Sequence, residues 1–193
     1  MTSSRAVFLK MSGAQIEQIA GGIIKAIQPK VFTGSENFDI EHFVDVRLED
    51  LTGIQPDYSR LPPEIYGYTD PEQQKMVIQA DLAEDDDSER FLRSTLAHET
   101  GHCILHVPIL RQAQKYHIFK QEKGAHLYRK ESGLPLYQNP EWQAWRFAGA
   151  LLMPKDLVVQ MLKEGLSERG LANKFNVNPA FVRYRLKSLK LSI

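Results

Sequence analysis

His98-Glu99-Thr100-Gly101-His102 places two imidazoles four residues apart, with a carboxylate beside the first. On a helix, residues four apart stand one above the other on a single face. Two such imidazoles can close on one ion, and zinc is the usual partner of nitrogen ligands in tetrahedral geometry. Glu99 is offset around the helix from the histidine stripe, so it can reach a metal-activated water without being a ligand. That is the arrangement a metallohydrolase needs: the ion lowers the pKa of the water and the carboxylate takes its proton. The alternative is a polar stripe on a partly buried helix. The flanking Phe91, Leu92, Leu96, Ile104 and Leu105 imply burial, and buried histidines need partners that a metal would supply.

A catalytic zinc site generally has three protein ligands, so one more is required. His106 lies eight residues past His98, about 12 Å along a regular helix. One ion cannot touch both ends of that span, and His106 is expected to be packed or hydrogen-bonded instead. Pro108 stands where the last histidine of H-E-x-x-H-x-x-G-x-x-H would fall. Glu141 is the better candidate. It shares a face of the next predicted helix with Ala144, Ala148 and Leu152, and the two alanines would let that helix approach the metal helix closely. Spacing alone leaves open whether Glu141 ligates or is only a first-turn acid favoured by the helix dipole. Glu131, Asp156, His117 and His126 are the substitutes.

The elements that must position these groups are legible in part. Ser12 is placed to cap a helix with an apolar stripe of Ile16, Ile19, Ala20, Ile23, Ile24 and Ile27, ended by Pro29. A second helix is expected from about Asp39 through Phe43, Val44, Leu48 and Leu51, stopping at Gly53. Residues 54–82 turn β-like, and 65–68 and 75–80 flank an Asp70-Pro71 turn as a hairpin would. Asp86 and Glu89 resemble a capping box for the His98 helix. That helix is expected to stop near Pro108. A long polar connection with Tyr116, His117, His126 and Tyr128 follows, of a length usual for lids, binding loops or disordered stretches. Asn139-Pro140-Glu141 then opens a helix that Pro154 stops. Cys103, alone on a buried helix face, is expected to behave as a small hydrophobe.

Size and composition set the frame. The 193 residues can hold one substantial core with a small appendage. Hydrophobic residues make up 42% and charged residues 25%, as in an ordinary globular protein. A formal net charge of zero removes any strong global attraction to nucleic acid or anionic membrane. A single cysteine excludes an internal disulfide framework. No apolar run reaches the length of a membrane span and the first residues lack a signal-peptide core, so a cytoplasmic protein is expected.

Residues 95–102, with His106, resemble the core of the ImmA/IrrE family of metallopeptidases. Residues 141–154, from Glu141-Trp142-Gln143-Ala144 to Leu152-Met153-Pro154, resemble that family's second hallmark. The resemblance implies His98, His102 and Glu141 as ligands of one Zn2+ and Glu99 as general base. It implies an α+β fold of the zincin type, a small sheet packed on the H-E-x-x-H helix, with residues 75–80 as an edge strand open to extended peptide. It implies an endopeptidase whose protein substrate is a regulatory protein such as a DNA-binding repressor. Two features depart from the family pattern. The connection between Pro108 and Asn139 is longer, and Trp145 stands where a polar residue is common.

From Asp156 the chain becomes basic and helical. Residues 171–189 read as helix, short turn, helix, a helix-turn-helix layout in which Arg183, Arg185, Lys187 and Lys190 could meet phosphates. Packing is the favoured role for this segment, since the chain is neutral and no wing or basic arm is evident. The expected division is a peptidase domain over 1–155 and a helix-turn-helix-like module over 156–193. A non-catalytic regulatory module with structural zinc, binding DNA or a repressor through the C-terminal helices, is the alternative to an enzyme.

Overall fold

In a computed structural model of the chain, which describes residues 9–111 and 136–192, the N-terminal apolar stripe forms α1 (Gly13–Ile27). Its start is a reciprocal capping box: the Ser12 hydroxyl accepts from the Gln15 amide, and the Gln15 side chain accepts from the Ser12 amide. Ile16, Ala20 and Ile24 are buried, while Ile27 at the helix end stays exposed. After a 3-10 turn at Pro29–Thr33 comes α2 (Ile40–Thr52), capped by Asp39 and ended by Gly53 in the left-handed conformation.

Three short strands follow: β1 (Gln55–Ser59), β2 (Gly67–Asp70) and β3 (Lys75–Gln79). β2 and β3 form the expected antiparallel hairpin, and β1 pairs parallel with the other side of β3, giving the order β1-β3-β2. The strand at 75–80 is therefore central, not the edge strand the sequence suggested. Its burial explains why: Met76, Val77 and Ile78 are consecutive buried residues, the unbroken apolar run of a strand covered on both faces. Among the described residues, the sheet edges belong to β1 and β2.

The short α3 (Ala80–Glu84) and a 3-10 turn lead into α4 (Glu89–Leu105), which carries the histidine pair. The capping box expected from Asp86 and Glu89 does not form. Asp86 lies inside the 3-10 turn. The preceding Asp85, in extended conformation, reaches forward to the Asp87 amide and the Ser88 hydroxyl. Helix α4 stops at Leu105, and α5 (Val107–Leu110) restarts with Pro108 in its first turn.

Asn139 caps α6 (Pro140–Leu152) through the Trp142 amide, with Pro140 at the first helical position. The C-terminal helices are α7 (Lys155–Lys163), α8 (Glu168–Phe175) and α9 (Pro179–Leu189), and a left-handed Asn176 closes α8. Helix α4 runs through the middle of the molecule, with α6 along one side and α2, β2 and β3 around the rest, and α1 packs on α6. One continuous apolar cluster extends from Ile16 through Leu96, Phe147 and Leu151 to Phe181 and Leu186.

Buried arginines tie distant segments together. Arg93 on α4 donates to the carbonyls of Phe38 and Asn176. Arg185 on α9 is fully buried, gripping the Glu17 carboxylate with both terminal nitrogens and donating from Nε to the Met153 carbonyl. It cannot meet a phosphate, contrary to its expected place among the basic residues of the helix-turn-helix. A guanidinium withdrawn from water needs a fixed counter-charge, and Glu17 on α1 supplies it. Arg183, Lys187 and Lys190 are exposed, and Arg183 pairs with Glu168.

Candidate metal centre

His98 and His102 lie one turn apart on α4, and Glu141 stands on the first turn of α6, so the site depends on how closely these helices meet. That approach is made by Gly101 and Ala144. A β-carbon on Gly101 would stand 2.9 Å from Ala144 Cα and 3.0 Å from its carbonyl oxygen, so only a glycine lets the two backbones touch here. Glu141, three residues before Ala144, is thereby brought over the histidines.

The three groups converge. His102 Nε2 is 3.2 Å from His98 Nε2 and 3.3 Å from Glu141 Oε1, and Glu141 Oε2 is 3.3 Å from His98 Nε2. Each offers one ligand atom to a group within 4.8 Å, and all three residues are buried. Among the described residues, Glu141 Oε2 is buried without a hydrogen-bond donor of acceptable geometry. A carboxylate oxygen withdrawn from water without a donor is costly. A cation between it and two imidazole nitrogens removes that cost, and the two-His, one-Glu donor set is one that zinc takes. Burial raises the Glu141 carboxyl, but the two imidazoles outweigh it and hold the group well below the usual carboxylate range.

Glu99 belongs to the same site without joining the cluster. Its Oε2 accepts from the Thr69 hydroxyl at 2.9 Å, while Oε1 lies 4.0 Å from His98 Nε2. One oxygen is tied to the sheet and the other faces the convergence point. β2 reaches Glu99 because Gly67 has no side chain: a β-carbon there would meet Glu99 Cγ and Thr95 Cγ2 at 3.2 Å. Trp145 closes another side, its ring 4.2 Å from that of His98 and tilted 36°.

His106 lies beyond the ligand cluster and is hydrogen-bonded, as its spacing implied. Its Nδ1 is 2.9 Å from His102 Nδ1 and its Nε2 is 2.9 Å from Gln143 Oε1. Burial, with His102 alongside, pushes the His106 imidazole down to about 3, so it is neutral. Cys103 is fully buried, and its thiol is pushed up to about 12 by burial, consistent with an inert packing residue. Of the substitute ligands, Asp156 is exposed at the start of α7 and outside the cluster. Glu131, His117 and His126, together with Tyr116 and Tyr128, lie outside the described residues. Arg146 on α6 is paired with Glu17 at 2.9 Å.

Sequence reasoning missed Thr69 and Gln143. Thr69 is a buried hydroxyl on a strand of unremarkable composition, and nothing in a single sequence links it to Glu99. For Gln143 there was a signal: a buried His106 excluded from the metal demands a polar partner, and an amide interrupts the apolar part of α6.

A profile of the IrrE N-terminal-like domain, Peptidase M78, matches residues 42–187. None of the curated proteins matches the chain. Among solved structures, a Mycobacterium tuberculosis transcriptional regulator shares the fold, with a TM-score of 0.56 at 14% identity. The match covers 92% of this chain and 47% of that one, so the chain spans about half the length of the regulator.

Proposed function

The chain belongs to the Peptidase M78 family of IrrE N-terminal-like domains, and on that premise we propose that it is a zinc-dependent endopeptidase acting on a regulatory protein. The observation that carries this is the convergence of His98, His102 and Glu141 with Glu99 Oε1 facing the same point. Zinc bound there supplies Lewis acidity, which polarises a scissile carbonyl and acidifies a water. The remaining work falls to the chain's own residues. Glu99 accepts the water proton at Oε1 and passes it to the leaving amine, while Thr69 holds Oε2 and so fixes the carboxylate plane. Trp145 keeps the His98 side of the site dry. β2, the edge strand that crosses Glu99, is the surface on which an extended substrate segment would add a strand.

In this proposal residues 1–155 form the peptidase domain and 156–193 a helical module that positions the partner. The substrate class is a DNA-binding repressor, encountered in the cytoplasm. Among the described residues no helix is long and apolar enough to cross a membrane.

A second proposal, a non-catalytic regulator with structural zinc, draws on the fold shared with a transcriptional regulator and on exposed Arg183, Lys187 and Lys190. Zinc content of the purified protein, beside that of Glu141→Ala, tests the site. About one zinc per chain, lost in the variant, supports three ligands. No zinc uptake by the wild type at neutral pH would overturn the enzyme. Glu99→Gln then separates the two proposals: an enzyme keeps its metal and loses cleavage, while a regulator keeps its cellular effect.

A further inference from the structure

We propose that a cavity beside the metal centre is the pocket that receives a large apolar side chain of the substrate, close to the cleaved bond. The inference rests on the peptidase reading above and deepens it by naming the class of side chain selected. The cavity holds about 270 Å³ between α4, α6 and the C-terminal helix α9. Phe91 and Ser94 on α4, Trp145 on α6, and Phe181 and Tyr184 on α9 form its walls. Asn178 and the exposed Ala180 line it at the start of α9.

Its position follows from helix periodicity. Residues 91, 94 and 98 share a face of α4, so the wall begins one turn before His98, about 6 Å along the axis. Trp145 belongs to both sites. Its ring packs 4.2 Å from that of His98, and lies 6.2 Å from Phe181 and 6.1 Å from Tyr184. On the α4 side, the Phe91 ring meets Tyr66 edge-on at 4.7 Å, and Tyr66 is the residue before β2. An extended segment paired with β2 therefore passes beside the cavity as well as Glu99. Same-side side chains in such a segment are about 7 Å apart, which matches the step from the metal centre to the cavity.

The lining selects by chemistry. Four of its residues are aromatic, and among the described residues no charged side chain lines it. The Ser94 hydroxyl already donates to the Phe91 carbonyl at 2.9 Å. The Tyr184 phenol, pushed up to about 12 chiefly by burial, stays neutral. A lysine or glutamate placed here would lose its hydration without gaining a partner. An apolar cavity of roughly 150 Å³ accepts a benzene ring, so this one has room for a Phe, Leu or Met side chain. Two of the rings come from α9, so the C-terminal helices complete a pocket of the peptidase site.

The test uses the full chain supplied with zinc and two variants, checked for folding by circular dichroism. Ala180→Trp fills the cavity from an exposed position, and Tyr184→Ala widens it. Digestion of a pool of random decapeptides, read by mass spectrometry, should give cuts with Phe, Leu or Met at one fixed position. Those residues should be favoured over Ala about 10–100-fold. Ala180→Trp should abolish the preference and Tyr184→Ala should move it towards Trp, with zinc content unchanged in both. Cuts without an apolar preference, or a preference that survives both substitutions, would overturn the pocket. No cuts at all would refute the peptidase instead, and binding of N-acetylphenylalaninamide then decides the pocket. That probe should shift the Trp145 and Tyr184 ring signals in NMR spectra of the wild type, and no shift would overturn it. A dimer in sedimentation that Ala180→Trp makes monomeric would place a second copy in the cavity, and would also overturn it.

Discussion

Gly101 and Ala144 touch backbone to backbone, and this contact sets the distance between the histidine helix and Glu141. A methyl group on Gly101 would collide with main-chain atoms that cannot rotate aside. Gly101→Ala should therefore separate α4 from α6, costing about 1–3 kcal/mol in overpacking despite the better helix propensity of alanine. Zinc affinity should fall as well, since Glu141 moves with α6. Urea unfolding of the metal-free protein and a zinc titration would measure the two effects. Unchanged values in both would show that the helices yield freely.

Thr69→Val removes the hydroxyl that holds Glu99 Oε2 at 2.9 Å while keeping the shape of the side chain. Metal content should be unaffected, because neither residue is among the convergent ligands. Peptide cleavage should drop by about tenfold or more, the usual cost of losing a partner that orients an active-site group. The decisive comparison is turnover at saturating zinc.

Two arginines of the C-terminal helix should behave in opposite ways. Arg185 is buried against Glu17, and Arg185→Ala leaves that carboxylate with Arg146 alone and the Met153 carbonyl without its donor, at a cost of about 1–3 kcal/mol. Arg183 pairs with Glu168 at the surface, and Arg183→Ala should cost less than about 1 kcal/mol. Any DNA binding by this module should therefore be probed with Arg183, Lys187 and Lys190. Loss of a band shift in Arg185→Ala would report unfolding, which chemical denaturation would expose.

Cys103 gives a pH dependence whose sign is set by burial. Its thiol is pushed up from 9.0 to about 12, chiefly by burial, so the folded state holds the proton more tightly than the unfolded chain. The associated stability is fully present below pH 9.0 and is lost as pH rises through the window towards 12. The stability difference between wild type and Cys103→Ala should shrink across that range. At pH 8 iodoacetamide should modify Cys103 in denaturant and spare it in the native protein.

Much of the local architecture was readable because its causes are local. Ser12, Asp39 and Asn139 cap their helices through amides three residues away, and Gly53 and Pro154 stand at the boundaries expected of them. The exclusion of His106 from the ligand set followed from helix rise alone. Expectations failed where the cause was remote. Residues 75–80 became the central strand because β1, nearly twenty residues earlier, pairs with the outer side of the hairpin. Arg185 left the surface because Glu17, at the other end of the chain, needed its charge.

By itself the sequence determined the histidine pair on one helical face, the carboxylate beside it, and a second helix with Glu141 and two small residues on a common stripe. Those are consequences of a 3.6-residue period acting over a few turns. Only the tertiary structure decided that Gly101 meets Ala144, that Thr69 holds Glu99, and that Gln143 reaches through His106 to His102. Each of these joins segments far apart in the chain, and such contacts depend on how whole faces pack. A residue's type shows that it needs a partner, and the packing of the core determines which partner it finds.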